Sequence, residues 1–182
     1  RVLVPTQALL LLALAAGCGY KAGFLMPPEI RTVNVEVVAN RTFWREAAKV
    51  DAVQAEAPAA ARPGRPMAVD LTERIQKEIV RRTTLRLADQ GSADSVLTAT
   101  IRSVDLRVFN RDGRDNVVVA ESDIVVDFAW KELRTGRILA ERSGLRRPTR
   151  YYAGQGESFT SAAEGSFNYL AAQIVEAMQQ RF

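Results

Sequence analysis

Histidine is absent from the 182 residues, and Cys18 is the sole cysteine. Without imidazole the chain lacks the commonest general base and the commonest transition-metal ligand, and one thiol builds neither an internal disulfide nor a thiolate metal cluster. Lysine is nearly as scarce, occurring as Lys21, Lys49, Lys77 and Lys131. None of these accompanies Ser158, Ser161 or Ser166, so neither a serine–histidine nor a serine–lysine nucleophile is expected. Gly154-Gln155-Gly156 has no lysine at phosphate-loop spacing. These absences predict no enzyme, no catalytic residues, no cofactor and no metal. The formal charge is only +4, with both signs interspersed, which does not make the concentrated footprint of a nucleic-acid binder.

What is present centres on Ser95 to Lys131. Val118, Ala120, Ile124, Val126, Phe128 and Trp130 occupy even positions, while Glu121, Asp123, Asp127 and Lys131 occupy odd ones. Such alternation predicts a strand with one buried and one wet face. The preceding arm buries Leu97, Ala99 and Ile101, then changes phase to Val104, Leu106 and Val108, so a β-bulge is expected near Ser103. Asn110-Arg111-Asp112-Gly113 joins the arms as a tight hairpin turn, with Asp-Gly supplying positive φ. A face carrying that many large side chains needs a cover layer, since each is worth roughly 1.5 to 3 kcal/mol when buried.

Two amphipathic segments supply it. Asp70, with Glu73 as capping-box partner, is expected to open a helix whose stripe is Leu71, Ile75, Ile79 and Val80. Ser161, with Glu164, is expected to open a closing helix with Ala163, Phe167, Leu170, Ile174 and Met178 inward. Thr32 to Ala39 alternates as a strand with Val33, Val35 and Val37 on one face, and Leu85 and Leu87 form a short one. Leu133-Arg134-Thr135-Gly136 turns into a last strand from Arg137 to Arg147 with Ile138 and Ala140 inward and Leu139 and Leu145 as further inward candidates. Tyr151 to Ser158 reads as a loop. The expectation is an α+β chain: a two-layer α/β sandwich, a mixed sheet of about five strands with two helices on one face.

The N-terminus reads as an address. Leu9 to Ala16 is apolar, too short to span a bilayer, and followed by Gly17 and Cys18. This layout resembles a bacterial lipobox, in which the cysteine is acylated and becomes the first mature residue. The expected organisation is a signal peptide at 1–17, a tether at 18–29 and one domain at 30–182. An Ala/Pro-rich insertion at 44–68 has no composition for a core. Several acyl chains make such an anchor effectively permanent.

Glu121, Asp123 and Asp127 share a strand face, where carboxylate pairs can act on glycosidic bonds; the plainer account is solvation and pairing with arginine. Arginine is abundant, and Arg111, Arg114, Arg134 and Arg137 sit at two turns that project charge beyond the sheet. If those tips converge they make a site for an anionic headgroup; the alternative is solvated arginines paired with Glu121, Asp123 and Glu141.

Several strings together resemble a known family: Gly17-Cys18-Gly19-Tyr20, Asn40-Arg41-Thr42 closing the first strand, Asp70-Leu71-Thr72-Glu73-Arg74-Ile75, Ala93-Asp94-Ser95-Val96-Leu97, and Thr135-Gly136 before Ile138-Leu139. In this order they are similar to LptE-like lipopolysaccharide-assembly lipoproteins, while the Ala/Pro insertion departs from compact members. The resemblance implies a lipid anchor at Cys18 in the outer membrane, on its periplasmic side, and docking with an LptD-type β-barrel as a plug or scaffold that assists lipopolysaccharide transport. It implies no catalysis, and the charge distribution adds the expectation of no nucleic-acid partner. Lipopolysaccharide is the implied ligand, with Arg111, Arg114, Arg134 and Arg137 as the physical choices. A rival role is a periplasm-facing lipoprotein that activates a cell-wall synthase.

Overall fold

The computed structural model describes residues 26–42 and 65–179. Cys18, the signal segment and most of the Ala/Pro-rich insertion lie outside them. In chain order the elements are β1 (Thr32–Val35), β2 (Ala39–Asn40), α1 (Arg65–Arg82), β3 (Arg86–Leu87), β4 (Ser95–Arg111), β5 (Val117–Glu132), β6 (Ile138–Tyr151), a 3-10 turn (Ala153–Gln155) and α2 (Phe159–Gln179). The sheet runs β3-β1-β4-β5-β6, with β2 also paired to β4. β4, β5 and β6 are antiparallel, whereas β1, β2 and β3 enter parallel. The two helices pack on each other and share one core with the sheet, giving the mixed two-layer α+β architecture.

Alternation in β5 decides which face that is. Ala120, Ser122, Ile124, Val126, Phe128 and Trp130 are all buried, and α1 and α2 cover them with Leu71, Ile75, Ile79, Phe167, Leu170 and Ile174. Trp130 is fully buried yet keeps its indole N–H satisfied by the Ser95 hydroxyl at 3.0 Å. The β4 phase change falls where the sequence places it, between Ile101 and Ser103. A second irregularity, between Val108 and Arg111, bends the far end of the hairpin.

Several local expectations are corrected. The hairpin does not turn at Asn110-Arg111-Asp112-Gly113; Asn110 and Arg111 remain paired in β4, and residues 112–116 form the loop. Positive φ falls on Asp115, at 67°, because the Asp112 carboxylate gathers the amides of Arg114 and Asn116 and fixes the loop around itself. The first strand is split: Val35 pairs with Leu97 and Ala39 with Thr100, so four steps face three. The extra residue turns Val37 outward, at 68% exposure, and buries Val38 instead.

Helix α1 starts at Arg65 rather than Asp70. Pro66 falls in its first turn, where a missing N–H costs nothing, and Met67 and Ala68, placed by composition in the insertion, are buried. Val80 is 61% exposed, off the stripe that Leu71, Ile75 and Ile79 form. Likewise α2 starts at Phe159, before the expected Ser161 cap. In β6, Ile138 faces out, while Leu139 and Ala140 are buried, because the pairing with β5 shifts register between Trp130 and Lys131.

Candidate functional site

One geometric fact governs the basic residues. Residues 112–116 and residues 133–137 flank the two ends of β5, whose 16 residues span roughly 50 Å at ~3.3 Å per residue. The two arginine-bearing turns therefore lie at opposite poles and do not converge.

The far pole is the hairpin tip. Asp112 is held below the ordinary aspartate pKa chiefly by the Asn116 side chain, then by the backbone N–H groups of Asn116 and Arg114. Arg111 donates to the Asp115 carbonyl at 2.7 Å and lies 3.6 Å from its carboxylate. Arg114 is exposed. Just below the tip, Phe109 is 54% exposed with the Arg150 guanidinium 4.7 Å above its ring, and Arg150 also reaches Glu121 at 3.8 Å. Charge and an exposed aromatic are thus combined in one place. Phe109 escaped sequence reading because it sits inside the second β4 irregularity, where period-two alternation fails, and its meeting with Arg150, one of the arginines of the last strand, comes about only through β6 pairing.

The near pole is built differently. Arg134 pairs with Glu132 at 3.3 Å, and Arg137 with Glu29 at 3.1 Å and Glu132 at 3.5 Å. The Asp94 Oδ2 accepts the Arg31 and Thr32 amides and the Thr32 hydroxyl. Its pKa is lowered, first by the Arg31 amide and next by the Thr32 hydroxyl. Leu133 donates its amide to the Asp94 carbonyl, tying the β5–β6 turn to the residue before β4, whose carboxylate in turn holds the start of β1. Arg134 and Arg137 are therefore engaged with carboxylates at the end where the described chain begins.

Between the poles, the face away from the helices is a ladder of ion pairs. Arg102 meets Asp127 at 2.5 Å, Arg146 meets Asp123, and Arg150 meets Glu121. Asp127 also accepts the Gly144 amide at 2.7 Å, at a glycine with φ of 73°. The three carboxylates singled out from sequence are each paired with an arginine. Asp123, expected on the wet face, is buried at 5% exposure, with its Oδ1 lacking a hydrogen-bond partner and Asp105 directly across the strand pair. On the helix side, Arg147 stacks over Tyr169 of α2 at 4.6 Å.

Among the described residues no three His, Cys, Asp or Glu side chains gather as metal ligands, and no helix is long and apolar enough to cross a membrane. The described surface does hold a cleft of about 550 Å³ beside β1 and β3, lined by Met26, Pro27, Pro28, Ile30, Arg31, Thr32, Thr84 and Arg86. Sequence gives no hint of it, since Arg31 and Arg86 become neighbours only through the parallel pairing of Thr32 with Arg86.

No protein-family model matches the chain, and no curated protein matches it. Several solved structures are similar to it over most of its length. Uncharacterized lipoprotein B from Nitrosomonas europaea is 8% identical over 85% of this chain and 84% of its own, with a TM-score of 0.53. Rare lipoprotein B from Shewanella oneidensis is 12% identical over 81% and 93%, with a TM-score of 0.45. The PelC dodecamer from Paraburkholderia phytofirmans is 14% identical over 82% and 92%, with a TM-score of 0.44. At 8% identity the likeness to lipoprotein B from Nitrosomonas europaea is one of fold alone.

Proposed function

We propose that the chain is an outer-membrane lipoprotein, acylated at Cys18 and facing the periplasm, that docks with an LptD-type β-barrel as a scaffold and assists lipopolysaccharide assembly. One observation carries the reading: behind a lipobox-like N-terminus stands the architecture seen in lipoprotein B, at a TM-score of 0.53. The hairpin geometry supports a plug. A barrel lumen is polar, and the helix-free face offers ion pairs rather than an apolar sheet. The hairpin end, with Arg111 and Arg114 at the loop and Arg150 stacked on Phe109 below it, joins guanidinium groups for phosphates to an aromatic surface for acyl chains. No catalytic step belongs to this role.

The test is crosslinking in intact cells followed by affinity purification from outer membranes. A large β-barrel recovered with the chain is the expected result; recovery of a cell-wall synthase, or of no barrel, overturns the proposal. Palmitate labelling is expected to disappear in Cys18→Ala, and label persisting there removes the anchor from the scheme.

A further inference from the structure

The cleft beside β1 and β3 combines two features at the near pole. Met26, Pro27, Pro28 and Ile30 form an apolar wall, with Pro27 and Ile30 buried, while Arg31, Arg86, Thr32 and Thr84 supply donors. Parallel pairing fixes the cationic side, for the Arg86 amide donates to the Arg31 carbonyl at 2.9 Å and Thr32 is the registered partner of Arg86. Among the described residues no carboxylate lines the cleft. Asp94 stands outside the cleft lining, its Oδ2 bonded to the Arg31 and Thr32 amides and the Thr32 hydroxyl, and the Arg31 charge acts on it through space, the last of the causes that lower its pKa. Among the described residues neither the Arg31 nor the Arg86 guanidinium forms an ion pair.

We propose that this cleft seats the headgroup of an anionic phospholipid, from the leaflet that holds the anchor. The inference rests on the lipid-anchor reading, because chain length makes the argument. Met26 follows Cys18 by eight residues, which at most ~3.5 Å each places the cleft within about 28 Å of the acylated cysteine. Anchoring turns headgroup capture into an intramolecular event at high effective concentration, so two arginines and a shallow apolar wall are enough. Arginine forks take the phosphate oxygens, the threonine hydroxyls add donors, and the Met-Pro-Pro-Ile wall lies against the glycerol and first methylenes. The tip stands at the other end of the hairpin, so this cleft and the lipopolysaccharide-facing end are separate surfaces.

The experiment uses the full lipidated chain in vesicles of phosphatidylethanolamine with phosphatidylglycerol, and in vesicles of phosphatidylcholine alone. Amide hydrogen exchange is read at residues 26–32 and 84–87. Exchange there is expected to slow at least threefold in the anionic vesicles, and the slowing is expected to vanish in the Arg31→Gln/Arg86→Gln variant while α2 exchanges as before. Equal exchange in both vesicle types, or undiminished slowing in the variant, overturns the proposal. The same slowing produced by millimolar inorganic phosphate in phosphatidylcholine vesicles also overturns it, by assigning the cleft to a free anion. Flotation separates the two readings: a chain that does not float refutes the anchor and the cleft with it, whereas one that floats without slowing refutes the cleft alone.

Discussion

Thr72 shows how much one hydroxyl can join. It sits buried on α1, donating to the Ala68 carbonyl at 2.7 Å and accepting the amide of Val38 at 2.9 Å. Val38 occupies the break between β1 and β2, where no strand partner takes its N–H. A buried donor left without an acceptor costs about 1–3 kcal/mol, so Thr72→Val, nearly the same shape, is expected to lower unfolding stability by about that much. Thr72→Ser keeps the oxygen and is expected to retain most of it. Urea denaturation midpoints check the pair, and equal midpoints for both variants would refute the role. Nothing in the local sequence announces this contact. Thr72 lies on the edge of an amphipathic stripe, and its partner is 34 residues earlier, across the Ala/Pro-rich segment. Asp94, bonded to Arg31 and Thr32, was hidden for the same reason.

Elements were more legible than contacts, because periodicity is a local property. The odd-to-even switch around Ser103 located a real bulge, and the even face of β5 is the buried one. Helix ends were read less well. Ser161 with Glu164 and Ser158 with Ser161 both satisfy the same capping spacing, and the second is used: the Ser161 amide donates to the Ser158 hydroxyl at 3.2 Å, and the Ser158 amide to the Ser161 hydroxyl at 3.1 Å. The deciding residue is Phe159, whose burial draws the helix start two residues ahead of Ser161. Ser158→Ala is therefore expected to cost about 1 kcal/mol, whereas Glu164→Ala, within an already established helix, costs well under half of that. Thermal unfolding distinguishes them, and the reverse ranking would restore the cap to Ser161. In β6 the segment from Arg142 to Arg150 has no apolar alternation at all. It is a strand because β5 pairs with it through Tyr151, a reason no single-segment reading contains.

At the scale of the whole molecule, hairpin length sorts the arginines. Turn position groups Arg111, Arg114, Arg134 and Arg137, but Arg111 stays paired at the end of β4 and a 16-residue strand between the two turns sends the two pairs to opposite poles. Arg134 and Arg137 are committed to Glu132 and Glu29 near the start of the described chain. Arg137–Glu29 is an exposed pair worth about 0–1 kcal/mol, whereas Glu132 is buried, so neutralising both of its arginines is also expected to lower stability, and the folded fraction of that variant is checked alongside its binding. Arg111 and Arg114 stand at the far end, beside exposed Phe109 and its stacked Arg150. If the far pole meets lipopolysaccharide, charge reversal there and neutralisation at the near pole have different consequences. Arg111→Asp with Arg114→Asp is expected to reduce binding to immobilised lipopolysaccharide about tenfold or more, as two phosphate-facing cations become anions, with circular dichroism unchanged. Arg134→Gln with Arg137→Gln is expected to leave binding within about twofold. Equal losses from the two variants would mean that net charge, rather than the tip, governs the interaction. No loss from the tip variant would return Arg111 and Arg114 to the solvent-facing role that their contacts with Asp115 and Asp112 alone would give them.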